Sequence, residues 1–272
     1  MPRCPFTLLD ARCARRTVSR AGLAVLLMVL RMVGARAADQ PRSELLREAL
    51  AAAARFDSRT ALNLYLQADA AQPNDPATLQ EISRQYSDLT IDEANVAEKK
   101  RLSAEALKYS QRAVELQPDN PLNLVSLAIC YAKLGALSDA RTHVEYSRLV
   151  RDYAERALAL DPDYAYAHHV LGRWHYEVAS LDAASRLMIR MVYGGLPPAR
   201  MAEAVSHLQR AVELEPDVPG HRLELGFALL ADGQRSAARA ALEQGLAMPQ
   251  REKYESESRA RARAALQKMG PD

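Results

Sequence analysis

The stretch that decides the fold reads Asp161-Pro162-Asp163-Tyr164, then Ala167-His168-His169-Val170-Leu171-Gly172-Arg173-Trp174-His175-Tyr176, and, after an interruption, Glu203-Ala204, Leu208, Ala211, Leu214 and Pro216. Both parts carry apolar residues at the three-to-four spacing of an amphipathic helix. Gly172 on the first helix, and Ala204 and Ala211 on either side of Leu208 on the second, let two backbones approach closely while the large residue fills the facing groove. Pro216 ends the second helix, because its ring and missing N–H cannot continue the interior hydrogen-bond ladder. The stretch therefore reads as one helix pair.

The same order of small, large and helix-ending residues returns along the chain. Aligned on their final prolines, a first unit holds Leu45 and Ala49, then Ala61, Tyr65, Ala68 and Pro73. A second holds Leu79, Ile82 and Tyr86, then Ala106, Ser110, Ala113 and Pro118; a third holds Leu124, Leu127, Ala128 and Tyr131, then Ala154, Ala157 and Pro162. The opening stretch is the fourth. The fifth holds Leu225, Gly226 and Leu229, a turn at Gly233, then Ala238, Leu242 and Gly245. This is the pattern of tetratricopeptide (TPR) repeats, units of about 34 residues that stack because none can cover its own apolar face. The expected fold is all-α: a right-handed TPR-like solenoid of about five helix pairs, closed by a charged C-terminal capping helix from about Glu252 to Lys268.

Three units exceed the usual period between their two helices. About 11 extra residues fall around Asp88 to Leu102, about ten around Ser138 to Leu149 and about 20 within Ala179 to Met201, relative to the repeat length. In the last, Leu181, Ala184, Leu187, Met188, Met191 and Val192 share a helical face opposite Arg186 and Arg190. The inserts read as lengthened helices and one extra helical segment inside a single domain, residues 38–272.

Residues 1–37 read as a targeting segment. Arg12, Arg15, Arg16 and Arg20 precede the apolar run Ala21 to Leu30, and Ala35-Arg36-Ala37 supplies a small-x-small cleavage site. The run is too short for a permanent span, so the expectation is export, a periplasmic location being one form of it, with no stable membrane span once the leader is removed. A mitochondrial or cytoplasmic placement is the alternative, since mitochondrial presequences are also arginine-rich.

The formal charge of +2 is set by this leader, which carries seven arginines and one aspartate and leaves 29 basic against 33 acidic residues in the rest. A net-acidic body lacks the basic face that nucleic-acid binding requires. Of three cysteines, Cys4 and Cys13 lie in the leader. Cys130 alone cannot form an internal disulfide, and its helical, apolar setting reads as a small buried hydrophobe.

A more specific resemblance rests on Gly172-Arg173-Trp174 with Tyr176, on Tyr193-Gly194 with Pro197, and on Glu203-Ala204 running into Ala211-Val212-Glu213-Leu214-Glu215-Pro216. Earlier, Glu98-Lys99-Lys100-Arg101-Leu102, Glu105-Ala106-Leu107-Lys108-Tyr109 and Arg112-Ala113 add to it. From about Leu79 to Met269 the chain resembles the regulators of microtubule dynamics. That resemblance implies a non-enzymatic TPR-like protein. It also implies tubulin as a partner if the chain acts inside a eukaryotic cell, whereas the export-type leader suggests a bacterial-type relative.

Phosphate-loop, dinucleotide-binding, HExxH and CxxC motifs are absent from the sequence. His168, His169 and His175 form its densest histidine cluster. His168 and His175 share a helix face while His169 turns away with Arg173, so the spacing is incomplete for a metal site; neither a metal nor any cofactor is expected, and a metal-dependent enzyme stands as a third reading. First-helix positions of such an array line its concave face, where a protein or peptide docks. They comprise Ile129 and Lys133 in the third unit, Tyr166, His169, Arg173, Tyr176 and Glu177 in the fourth, and Leu223, Phe227 and Leu230 in the fifth. The leading expectation is thus a scaffold that binds a protein or peptide partner there. Arg259, Arg261 and Arg263, spaced by two, read as a solvated surface.

Overall fold

A computed structural model describes residues 41–270. The leader expectation lies outside these residues. The described chain forms α1 (41–53), α2 (Ser58–Ala71), α3 (Pro76–Asp92), α4 (Val96–Leu116), α5 (Pro121–Gly135), α6 (Ala140–Leu160), α7 (Ala165–Ala179), α8 (Ala183–Tyr193), α9 (Met201–Leu214), α10 (Pro219–Ala231), α11 (Arg235–Ala247) and α12 (Glu255–Met269). The pairs α1/α2, α3/α4, α5/α6, α7/α9 and α10/α11 are the five units read from the sequence, and each packs on the next.

Local chemistry fixes the helix ends. Side chains of Asp57, Asp75, Asn95, Asn120, Asp139 and Asp182 accept N–H groups of the first turns of α2, α3, α4, α5, α6 and α8, which otherwise have no partner within the helix. At the other end, the residue after α2, α4, α6 and α9 donates its N–H to Ala68, Ala113, Ala157 and Ala211 respectively. These four alanines are also 0% exposed, so one residue terminates the helix and seats it on its neighbour. Proline follows two residues past each of these ends, and again at Pro249 past α11.

Two helix pairs show the same interlock. A Cβ built on Gly172 of α7 would lie 2.7 Å from Leu208 Cγ and 3.1 Å from Ala204 O of α9; one on Gly226 of α10 would lie 2.6 Å from Leu242 Cγ of α11. The second unit has Ser83 at the matching position, and its buried hydroxyl donates to Ala106 O at 2.8 Å. Cys130 lies against Ser83 at 3.3 Å and is 2% exposed. The largest core cluster spans α4 to α7 and includes Leu107, Leu124, Leu127, Val150, Leu171 and Trp174.

The inserts extend helices, as the sequence suggests. α3 runs for 17 residues, and α4 and α6 for 21 each. The added turns of α6 support α7 and the third insert: Trp174 Nε1 donates to Ser147 O at 2.8 Å, and Arg148 donates to Tyr193 O and to Gly195 O, just beyond α8. Gly194, at φ 81°, lets α8 end in the left-handed conformation. The rest of α8 stands off the solenoid, with Leu187, Met188, Met191 and Val192 between 45% and 77% exposed.

Units are also tied along the edge. Arg112 of α4 donates to Asn74 Oδ1 in the α2–α3 turn, and Arg210 of α9 reaches Asp163 in the α6–α7 turn at 2.6 Å. Both arginines occupy the same place in a Gln-Arg-Ala-Val-Glu-Leu sequence, Gln111 to Leu116 and Gln209 to Leu214.

Replacing Gly172 by Ala overpacks the α7–α9 contact and is expected to cost roughly 1–3 kcal/mol, read as a lower denaturant midpoint. Combining it with Leu208→Val restores part of the loss, because Leu208 Cγ is only one of the atoms met. Gly233→Ala, at φ 82° with no atom within 4 Å, carries only the left-handed backbone penalty of roughly 1 kcal/mol.

Candidate functional site

Several of the residues expected at first-helix positions touch one another or the chain's own C-terminal part. The segment 248–254 leaves α11 without regular structure and leads into α12. On the way it returns from the fifth unit to the second: Glu252 lies 3.6 Å from Arg84 of α3, and Lys253 Nζ lies 2.5 Å from Asp92 at the end of α3. Arg84 is held in place by Glu81 at 3.0 Å.

Tyr254 comes next and enters between α7 and α10. Its ring lies 6.2 Å from that of His169 in an edge-on arrangement. Its hydroxyl end also rests on Gly220, where a Cβ would collide with the Tyr254 hydroxyl oxygen and lie 3.1 Å from the ring carbon Cζ. The hydroxyl is buried and has no hydrogen-bond partner, and burial holds its pKa well above the ordinary phenol value. Glu255, 0% exposed, accepts the Gly220 N–H at 3.3 Å and the Arg251 N–H at 2.9 Å. Val218, the residue preceding α10, provides no capping side chain, so Glu255 places a carboxylate at that helix's positive end.

Deeper on the same face, Glu224 of α10 is 2% exposed and collects three donors: Ser258 Oγ at 2.7 Å, Arg173 at 3.4 Å and Arg261 at 3.4 Å. A buried carboxylate requires such compensation, since desolvation of an unpaired charge costs several kcal/mol. Arg173 also reaches Glu177 at 2.7 Å. Arg261 stacks 4.1 Å above the Phe227 ring, a cation–π contact.

Among the expected residues, His169, Leu223 and Phe227 are buried; Tyr166, Arg173, Tyr176, Ile129, Lys133 and Leu230 are partly buried, and Glu177 is exposed. Tyr176 packs against two core clusters, with Phe227 and Leu223 in one and Leu208 in the other. Lys133 Nζ donates to Ser87 O at 2.9 Å. The solvated reading of α12 is corrected: Arg259 is 8% exposed and donates to Leu246 O at 3.0 Å and to Met248 O. Arg261 and Arg263 are both exposed, as read from the sequence, although Arg261 also lies over Phe227 and reaches Glu224. Arg84, Asp92, Gly220 and Glu224 were missed by sequence reasoning. Only Glu224, a carboxylate between Leu223 and Leu225 on an apolar helix, carried a visible signal.

The histidines form pairs. His169 and His221 face each other with Nδ1 atoms 2.9 Å apart, and so do His168 and His207. In each pair one Nδ1 must carry the proton and the other accept it, so the two rings are opposite tautomers. Among the described residues no group of three or more His, Cys, Asp or Glu has a metal-holding arrangement. Burial lowers the pKa of His169, with the Arg173 charge acting in the same direction; burial lowers that of His221, helped by His169, and lowers that of His207 to about 4, helped by His168 and His175. Arg173 and Glu215 face the first pair; Glu203, 3.1 Å from His175, lies beside the second. The unfolded chain takes up these protons near pH 6.5 while the folded chain refuses them. Stability therefore falls as pH drops below about 6.5, by about 1.4 kcal/mol per pH unit for each excluded histidine. Melting temperature should decline between pH 7 and pH 5, and His207→Gln should flatten the decline; an unchanged melting temperature over that range contradicts the pairing.

With the geometry in hand, the chain can be set beside known proteins. Residues 45–270 match the family model described as regulator of microtubule dynamics protein 1-3. Regulator of microtubule dynamics protein 1 of Pongo abelii is 25% identical over 147 residues, which is 54% of this chain and 47% of that protein. The Homo sapiens protein 1 is 27% identical over 120 residues, 44% and 38% respectively. The matched part thus spans half or less of these relatives' length. Among solved structures, a thermophilic TPR protein of Thermus thermophilus superposes with a TM-score of 0.61 at 21% identity, covering 83% of this chain and 99% of that one. PilW, a type IV pilus biogenesis factor, gives 0.52 at 16% identity, covering 84% and 92%. At such identities the likeness is one of fold. The family match covers every helix pair described above, and this chain belongs to the regulator of microtubule dynamics 1-3 family.

Proposed function

We propose that the protein is a non-enzymatic TPR scaffold whose concave face receives an extended segment of a protein partner. The observation supporting this is the seating of residues 248–254. A stretch without helix or strand is held on that face by ion pairs at Arg84 and Asp92 and by a ring slot against Gly220. A surface that binds one such segment has the chemistry to bind another: charged side chains at one end, and rings with a helix N-terminus at the other. Lys133, beside Ser87 of α3, and Arg173, beside Glu177 and Glu224, add cations.

A second reading is favoured by family membership. The relatives are named for the regulation of microtubule dynamics, and on this reading the partner is tubulin or a microtubule-bound protein met inside the cell. The leader read from residues 1–37 supports export instead. Among the described residues no helix is long and apolar enough to cross a membrane.

Affinity capture with the mature chain, in parallel with Arg173→Leu/Lys133→Leu, tests the scaffold reading. The partner should be recovered by the parent and lost by the variant, whose melting temperature is checked alongside; equal recovery by both removes the concave face as the site. Microtubule co-sedimentation and sequencing of the mature N-terminus separate the two placements. An exported form starting at Ala38 with no co-sedimentation excludes the microtubule reading.

A further inference from the structure

We propose that residues 252–255, Glu252-Lys253-Tyr254-Glu255, act as an internal competitor in the groove, and that the partner carries a segment of matching chemistry: an acid, one spacer residue, an aromatic ring, then an acid. This rests on the scaffold reading and names its ligand class.

Each element of the motif has a counterpart. Glu252 faces the Arg84 guanidinium. Two residues on, the aromatic ring lies beside His169 on the space left by Gly220, which holds no Cβ. The next side chain presents a carboxylate to the Gly220 N–H at the α10 terminus. The slot gives the Tyr254 hydroxyl space over Gly220 but no hydrogen-bond partner among the described residues. An unmet hydroxyl costs roughly 1–3 kcal/mol, so the chain's own segment is a poorer occupant than a phenylalanine-bearing one. The ion pairs holding the near end are partly solvated, with Asp92 70% exposed, and such pairs contribute little. The near end is therefore the part that opens most readily, while Tyr254 over Gly220 and the fully buried Glu255 fix the position of the far end.

An occluded groove reduces the apparent affinity of any competing ligand by the fraction of molecules that are open. The probe is a fluorescein-labelled peptide of residues 249–257 with phenylalanine at the tyrosine position, titrated by polarisation into the full chain. The release variant Glu252→Lys/Lys253→Glu opposes Arg84 and Asp92 without touching the core. It should bind the probe at least ten-fold more tightly than the parent, and a second release variant, Tyr254→Ala, should do the same. Tyr254→Phe should bind it more weakly than the parent, because closure is strengthened. Adding Gly220→Val to either release variant should abolish probe binding, while unchanged far-ultraviolet circular dichroism shows that the fold is intact.

Equal affinity for parent and both release variants, or no binding by folded release variants, overturns the proposal. The scaffold reading survives that result if captured partner still depends on Arg173 and Lys133. A concentration-dependent doubling of mass in the parent, seen by light scattering, would also overturn it, by assigning the segment to the groove of a second copy.

Discussion

The structure depends on one steric constraint: at the centre of a helix pair, one helix must be nearly bare so that the other can lay a leucine across it. Gly172 under Leu208 and Gly226 under Leu242 show this directly. Ala113, Ala157 and Ala211 serve the neighbouring contacts with no exposed surface. Because dispersion forces and apolar burial both decline steeply with separation, the close approach turns weak individual contacts into a continuous core. The same alanines take the last capping hydrogen bonds of their helices. Helix termination and helix packing are therefore set by the same residues, and the unit length repeats as a result.

What the first helices of the units carry is in part unlike a core. Arg84, Asp92, Lys133, Arg173 and Glu224 form a charged face interrupted by rings. Such a face is costly to bury without compensation, and the chain compensates it with its own C-terminal part. Glu224 shows how: buried on α10, it is balanced by Arg173 from α7 and by Ser258 and Arg261 from α12. The last helix thus closes the array, as terminal repeats must, and also supplies side chains to the inner face. The TPR fold and the inserts meet here. Lengthened α3 carries Asp92 at its end, where Lys253 can reach it.

Much of this was legible in the sequence. Small, large, small and proline recur with a period, and periodic constraints can be read without a structure. The five pairs, the lengthened helices, the extra helix near Ala183 to Tyr193 and the buried Cys130 follow from it. What could not be read were relations between distant parts that obey no period. Nothing local tells Lys253 that Asp92 is its partner, or that His169 faces His221 across 52 positions. Arg259 and Arg261 looked solvated because their spacing of two places them on different sides of α12. Arg259 meets carbonyls at the end of α11 and is buried there, whereas Arg261 stays exposed while touching Glu224 and Phe227. The outward-facing apolar residues of α8 were recognised as one face, but the sequence could not say that the face turns away from the solenoid.

The central claim is that the chain occupies its own concave face, and the contact between Lys253 and Asp92 tests it most directly. A zero-length carbodiimide cross-linker joins a lysine to a carboxylate only when the two are in contact. Applied to dilute full-length protein and read by mass spectrometry, it should give an intramolecular isopeptide bond between Lys253 and Asp92. That product should vanish in Asp92→Asn while monomer mass is retained. Absence of the link in the parent, or its appearance only between two chains, would contradict the account.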